Sequence, residues 1–207
     1  MFLRRILTAT LAVVLAAFVS AQTVTAADID SGAKKFIEGL ADKAIQSLTD
    51  QKSSREQREA RFRELLNKHF AVDVIGQWVL GRYWRQATKL EQSEYLELFE
   101  NLIVVTYLDR FVDYSGETLT VTKTVINESR DIVVFSVITR KESSQTPIQV
   151  DWRVRLKDGT YKIVDVMVEG ISMGQTQRSE FGSVIRKNGG KIEGLLSELR
   201  KKVKKNA

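Results

Sequence analysis

The residues of this chain that could do acid–base chemistry are few. A single histidine, His69, stands at helical spacing from Leu65 and Leu66, and no motif places a serine or aspartate partner for it. Its spacing makes it the edge of an apolar helix stripe. The chain has no cysteine, which excludes a thiol nucleophile and a thiolate metal site, and one histidine leaves too few ligands for zinc. Three carboxylates, Asp151, Asp165 and Glu169, fall in a stretch of alternating residues beside Arg153 and Arg155. Paired carboxylates can serve as acid and base, which defines a hydrolase reading. The alternation predicts instead an outward strand face on which acids and arginines neutralise one another. No glycine-rich phosphate loop occurs. No catalytic and no metal-ligating residue is therefore assigned.

The elements around these residues alternate in kind along the chain. Residues 28–50 carry Ile29, Ala33, Phe36, Ile37, Leu40, Ala44, Ile45 and Leu48 at helical spacing. Ser53 and Ser54, followed by Glu56 and Gln57, start a second helix with a capping box. A third runs from about Asp73 to Leu80 and stops at Gly81. Thr88 and Glu91 cap the strongest helix, predicted over 88–113, with a core stripe of Tyr95, Leu98, Phe99, Leu102 and Phe111. Its segment Leu102-Ile103-Val104-Val105 is apolar all round, so it is buried on every side or faces a second apolar volume.

From Leu119 the period changes to two. Strands are predicted at 118–126, 131–140, 147–156 and 161–169, separated by "NESR", "ESSQ" and "KDGT". In the third strand Ile148, Val150, Trp152 and Val154 share a face; in the fourth, Val164, Val166 and Val168 do. A two-residue Asp158-Gly159 turn would oppose Trp152 to Asp165 and mix these faces. A three-residue loop opposes Trp152 to Val164 and Val150 to Val166, giving one apolar face, and is the register expected. A bulge there would curve the sheet. The strand breaks at Gly170, a polar helix begins near Thr176, and Ile171 and Met173 stand in the connection. A last helix carries Ile192, Leu195, Leu196 and Leu199 and ends in the basic tail "RKKVKKNA". Helices, a meander, then helices describe an α+β fold with helices packed on one face of an antiparallel sheet.

The chain has 207 residues, 43% of them hydrophobic, with twelve glycines and one proline, which suits one domain with a sizeable core. The opening "MFLRRILTATLAVVLAAFVSAQTVTAAD" has Arg4 and Arg5, a short apolar run and then small residues. It reads as a secretion signal over 1–27, cleaved after Ala21, Ala26 or Ala27, followed by a single domain over 28–207. Taking Arg4 and Arg5 from a net charge of +6 leaves +4. A basic secreted protein points to an anionic membrane surface or an acidic protein rather than to nucleic acid.

"GRYWRQAT" (81–88) and "VDWRVRLKDGTYKIVDVMVEGISMGQTQRSEFGSVIRKNGG" (150–190), with the helix–sheet order between them, resemble the MlaC or toluene-tolerance family of periplasmic phospholipid-binding proteins. The resemblance covers essentially all of the mature chain, and "YKIVDVMVEGISM…TQRSEF" is its most specific part. It implies a cone-shaped α+β fold in which a curved four-stranded antiparallel sheet is wrapped by helices around a deep apolar pocket. It implies a non-enzymatic, periplasmic carrier that needs no cofactor and has phospholipid as cargo. Its partners would be an outer-membrane lipoprotein–porin complex and an inner-membrane ABC transporter with an MCE-domain subunit, and its role the maintenance of outer-membrane lipid asymmetry. A related branch goes with hopanoid lipids, and a non-carrier interaction module with a filled core is the other alternative.

The residues expected to contact lipid are Val150, Trp152, Val154, Val164, Val166 and Val168 on the sheet, and Trp78, Trp84, Phe99, Ile103 and Tyr107 on the helical side. Ile171 and Met173 are placed at the pocket lip.

Overall fold

The computed structural model describes residues 26–127, 131–140 and 146–206. The expected secretion signal lies almost wholly outside them, as do parts of the two loops flanking the second strand.

Each helix starts or stops where its end chemistry dictates. Helix α1 (Ala26–Leu48) buries Ala33, Ile37, Leu40 and Leu48 along one stripe. Helix α2 (Arg55–His69) opens on Ser54, whose hydroxyl accepts the Gln57 N–H while the Gln57 side chain accepts the Ser54 N–H. This reciprocal pair satisfies two donors that the first helical turn leaves without partners. Helix α3 (Val72–Leu80) ends on Gly81, whose φ of 61° suits glycine, and a 3-10 turn follows over Gly81–Arg85. Helix α4 (Lys89–Tyr107) carries the expected Thr88–Glu91 capping box. The single helix expected over 88–113 is broken at Leu108, a fully buried residue, and resumes as α5 (Asp109–Val112), where Asp109 accepts from Arg55 at 2.7 Å.

Five strands follow, not four: β1 (Thr118–Ile126), β2 (Ile132–Thr139), β3 (Ile148–Lys157), β4 (Thr160–Val168) and a two-residue β5 (Ile171–Ser172). They form an antiparallel, curved and unclosed sheet in the order β1-β2-β3-β4-β5. Helix α6 (Met173–Lys187) begins three residues earlier than expected, with Ser172 as its N-cap. Ile171 and Met173 thus belong to a strand and a helix. Helix α7 (Ile192–Asn206) buries Ile192, Leu195, Leu196 and Leu199, and continues through the basic tail with Val203 packed on the core.

The register expected between β3 and β4 is wrong, and the reason is local. Lys157 pairs with Thr160 across a two-residue turn, with Asp158 at φ 49° and Gly159 at φ 73°, the positive values a tight hairpin of matching twist requires. A bulge then inserts Val164, so that Val154 opposes Ile163, Trp152 opposes Val166 and Val150 opposes Val168. Turn and bulge together do what the three-residue loop was invoked to do: they restore an apolar face. Ile163, rather than Val164, stands beside Val154 on it. A second irregularity between Val121 and Lys123 adds to the twist.

Two buried clusters result. One is helical, joining α2, α3, α4, α6 and α7 around Tyr95, Phe99, Phe181 and Leu196. The other joins α1 to the sheet through Ile37, Leu40, Ile132, Val134, Val154 and Ile163. No strand residue belongs to the buried helical cluster, and Phe70 packs against both.

Candidate functional site

The sheet face that α1 covers is sealed at one end only. At that end Ile132, Val134, Val154 and Ile163 are all fully buried. Further along β4, and at Trp152 of β3, the cover thins, while Ser136 of β2 and Val150 of β3 stay buried. Trp152 and Val166, a directly opposed pair, are half-buried, as is Val168 beyond them. At the far end Ile148 is 39% exposed and Ile171, which pairs with Val168, is 60% exposed. Exposure therefore rises along β4 and β5 from the α1 end to the β5 end. Trp152 and Val166 pack at the edge of the α1–sheet cluster, and Val168 and Ile171 lie beyond it.

The polar atoms of this upper face are bonded within the sheet. Trp152 Nε1 donates to Ser136 Oγ at 3.0 Å, and Ser136 Oγ donates to the Val150 carbonyl. Ser136 is fully buried on the same face, in line with Val134. With the indole N–H and the hydroxyl both satisfied, the indole presents its carbon edge and face outward. An apolar ligand meeting this wall would desolvate no unpaired donor.

The opposite face corrects an expectation. Asp151 and Asp165 are not on a salt-bridged solvent surface; they are 4% and 7% exposed. Asp165 accepts from Ser172 Oγ at 2.7 Å, from Val166 N at 3.0 Å and from Gly174 N at 3.2 Å. Its carboxylate thus sits on the first turn of α6, where free N–H groups favour an anion. Asp151 accepts from Gln149 Nε2 at 2.7 Å, while its second oxygen and Arg153 Nε are buried without a hydrogen-bond partner among the described residues. Glu169 accepts from Gln149 N at 2.6 Å, and Arg155 pairs with Asp131 at 2.8 Å rather than with these acids. The carboxylates are occupied in holding hairpin and helix together.

His69 is buried, with Phe36 of α1 at 5.5 Å between ring centroids and Nε2 without a hydrogen-bond partner among the described residues. Burial, reinforced by Lys43, Lys68 and Lys162, pushes its pKa below the ordinary histidine value. It is a core residue, as its spacing implied.

A model of the family described as MlaC protein matches residues 38–201. The chain belongs to the MlaC family. Among curated relatives, toluene tolerance protein ttg2D of Pseudomonas putida is 23% identical over 154 residues, covering 70% of this chain and 71% of that protein. The intermembrane phospholipid transport system binding protein MlaC of Haemophilus influenzae is 21% identical over 130 residues, covering 62% of this chain and 60% of that protein. A phospholipid-binding protein from Ralstonia solanacearum, solved in complex with a phospholipid, shares the fold with a TM-score of 0.72 at 21% identity, over 84% of this chain and 97% of that one.

In this MlaC-family fold the residues expected to contact lipid are not all together. Val150, Trp152, Val166 and Val168 form the upper wall, with Ile171 at its open end. Val154 shares the face but lies sealed under α1. Val164 is the extra residue of the bulge, half-buried and out of the alternation. Met173 is half-buried at the start of α6. Phe99 is buried in the helical core, stacked on Tyr95 at 5.8 Å, with Trp84 and Ile103 packed at the edge of that core. Tyr107 is exposed at the end of α4, and Trp78 is 45% exposed on α3. Sequence reasoning missed Ser136, and placed Ile148 on this face without naming it as a lipid contact. The signal for Ser136 was a lone hydroxyl in the series Ile132, Val134, Ser136, Ile138, an otherwise apolar face.

Proposed function

We propose that this MlaC-family chain is a periplasmic phospholipid carrier that shields acyl chains against the upper half of the sheet face and shuttles them between outer- and inner-membrane complexes, without catalysis and without a cofactor. One observation carries the reading: the rise in exposure from Ile163, through Val166 and Val168, to Ile171 along one apolar surface. A filled core would keep that surface uniformly buried. The acyl chains lie against Trp152, Val166 and Val168, and Ile171 and Met173 form the lip past which the headgroup meets water. The family supports the cargo class, since a relative and a solved neighbour are both named for phospholipid.

A carrier answers a large energetic barrier. Exposing one buried CH₂ costs about 0.8 kcal/mol, so two chains of about sixteen carbons cost roughly 25 kcal/mol in water. Met173, unbranched and flexible, suits chains of mixed length at the lip.

Native mass spectrometry of gently purified protein tests the proposal. A mass increment that fragments to diacyl glycerophospholipid supports it, a hopanoid mass redirects it to that cargo, and lipid-free protein from membrane-containing extract overturns it. Met173→Asp should lower the occupied fraction.

A further inference from the structure

The arginines of this chain divide into two groups. Arg55, Arg63, Arg140, Arg155 and Arg200 each hold a carboxylate within 3.2 Å. Arg58, Arg61, Arg82, Arg85, Arg110, Arg153, Arg178 and Arg186 have no carboxylate within ion-pair distance among the described residues. Three of these eight, Arg82, Arg178 and Arg186, gather around Trp78, Gly81 and Tyr83. Arg82 donates to the Tyr83 hydroxyl at 3.1 Å and lies over its ring, and Arg186 stands close enough to the same phenol to lower its pKa together with Arg82. The Arg178 guanidinium rests on the backbone at Gly81, where a Cβ would approach it to 3.0 Å, and donates to the Trp78 carbonyl.

Like charges gathered on one phenol repel, and the cluster keeps them with no internal counter-ion. Beside it lies exposed apolar surface. Trp78 is 45% exposed and Val74, one turn earlier on α3, is 51% exposed. The Arg178 guanidinium covers the indole at 5.0 Å, tying the apolar and cationic parts into one strip. Carboxylates on the same elements, Asp73 on α3 and Glu180 on α6, pair with none of these arginines; Glu180 is bonded to Gln177.

We propose that the strip Val74–Trp78–Arg178–Arg82–Arg186 is a docking surface for an anionic lipid bilayer. The chemistry fits that occupant: an indole and a small apolar side chain enter the headgroup boundary while guanidinium groups meet phosphates around them. The strip lies outside the sheet wall of the proposed carrier, bordering its lip where Trp78 meets Gly174, and its arginines stand whether or not the chain carries lipid.

Vesicle co-sedimentation of the full mature chain tests it, comparing phosphatidylglycerol-rich with pure phosphatidylcholine vesicles at low salt. At about fivefold per cation near an anionic surface, Arg82→Gln, Arg178→Gln and Arg186→Gln together should weaken binding roughly a hundredfold. Because Arg178 and Arg82 also touch backbone and Tyr83, a thermal melt accompanies each variant, and a second probe leaves the arginines intact. Brominated phosphatidylglycerol should quench Trp78 emission, and Trp78→Phe should remove that quenching. Neutralising Lys201, Lys202 and Lys204 on α7 should cost clearly less than the arginine triple. Equal binding to both vesicle types, binding indifferent to the arginine triple, or quenching unchanged in Trp78→Phe overturns the proposal. Absence of binding to either vesicle also overturns it and leaves an acidic protein surface as the occupant of the strip.

Discussion

The Asp165 carboxylate accepts the Ser172 hydroxyl at 2.7 Å across the β4–β5 turn, and Ser172 Oγ in turn accepts the Gln175 N–H at 3.0 Å. An acid read from alternation as solvent-facing is instead the residue that fixes how α6 leaves the sheet. Asp165→Ala should leave the Gly174 and Val166 N–H groups short of an acceptor and lower unfolding free energy by about 2–3 kcal/mol. Asp165→Asn keeps one acceptor oxygen but loses the charge at the helix N-terminus, and should cost about 1 kcal/mol. Urea denaturation of both variants checks the order.

Val166→Glu and Ile163→Glu should behave differently, although three positions apart on one face. At Ile163, fully buried under α1, a carboxylate would be stranded without a partner, at a cost of several kcal/mol that unfolds a marginal domain. At half-buried Val166 the carboxylate can reach water once acyl chain is gone. We expect soluble, cooperatively melting, lipid-free protein from Val166→Glu and insoluble protein from Ile163→Glu. An aggregated Val166→Glu variant would mean that the upper wall is ordinary core.

Ser136→Ala removes the acceptor of the Trp152 indole N–H and should destabilise the fold by about 1–3 kcal/mol. It should also turn an unpaired donor toward the apolar wall, so the lipid-occupied fraction should drop with it. Occupancy measured by native mass spectrometry at a temperature well below the melt separates the two effects.

His69 gives a pH signature of defined sign. Its folded pKa lies below the unfolded value near 6.5, so the unfolded chain binds the proton more readily. Its contribution to stability is complete above about pH 6.5 and is lost as pH falls from there through the folded value. The carboxylates held below their ordinary range, Asp50, Glu56, Glu91 and Glu117, act in the same direction but at lower pH. His69→Phe should therefore flatten the melting temperature between pH 7 and pH 5.5 and leave the acid limb below it unchanged.

The sequence by itself determined most of the elements and those of their ends that a cap or a glycine marks, but not β5, the break at Leu108 or the start of α6. Capping residues at Ser54 and Thr88, the glycine stop at Gly81 and period-two alternation over β1–β4 are local signals, and local physics answered them within a few residues. The family was legible for the same reason, since "YKIVDVMVEGISM" encodes a strand, a tight turn and a helix start in one run. Three things were decided only in three dimensions. Bulging at Val164 set the β3–β4 register, because two apolar faces had to be matched across a turn whose geometry alone would have mismatched them. The burial of Asp165 depended on α6 capping itself on a strand carboxylate, a contact that alternation cannot express. The division of one apolar face into sealed and half-open positions depended on packing across the chain: Val154 and Trp152 have the same orientation in the sequence pattern, yet Val154 lies inside the α1–sheet cluster and Trp152 at its edge.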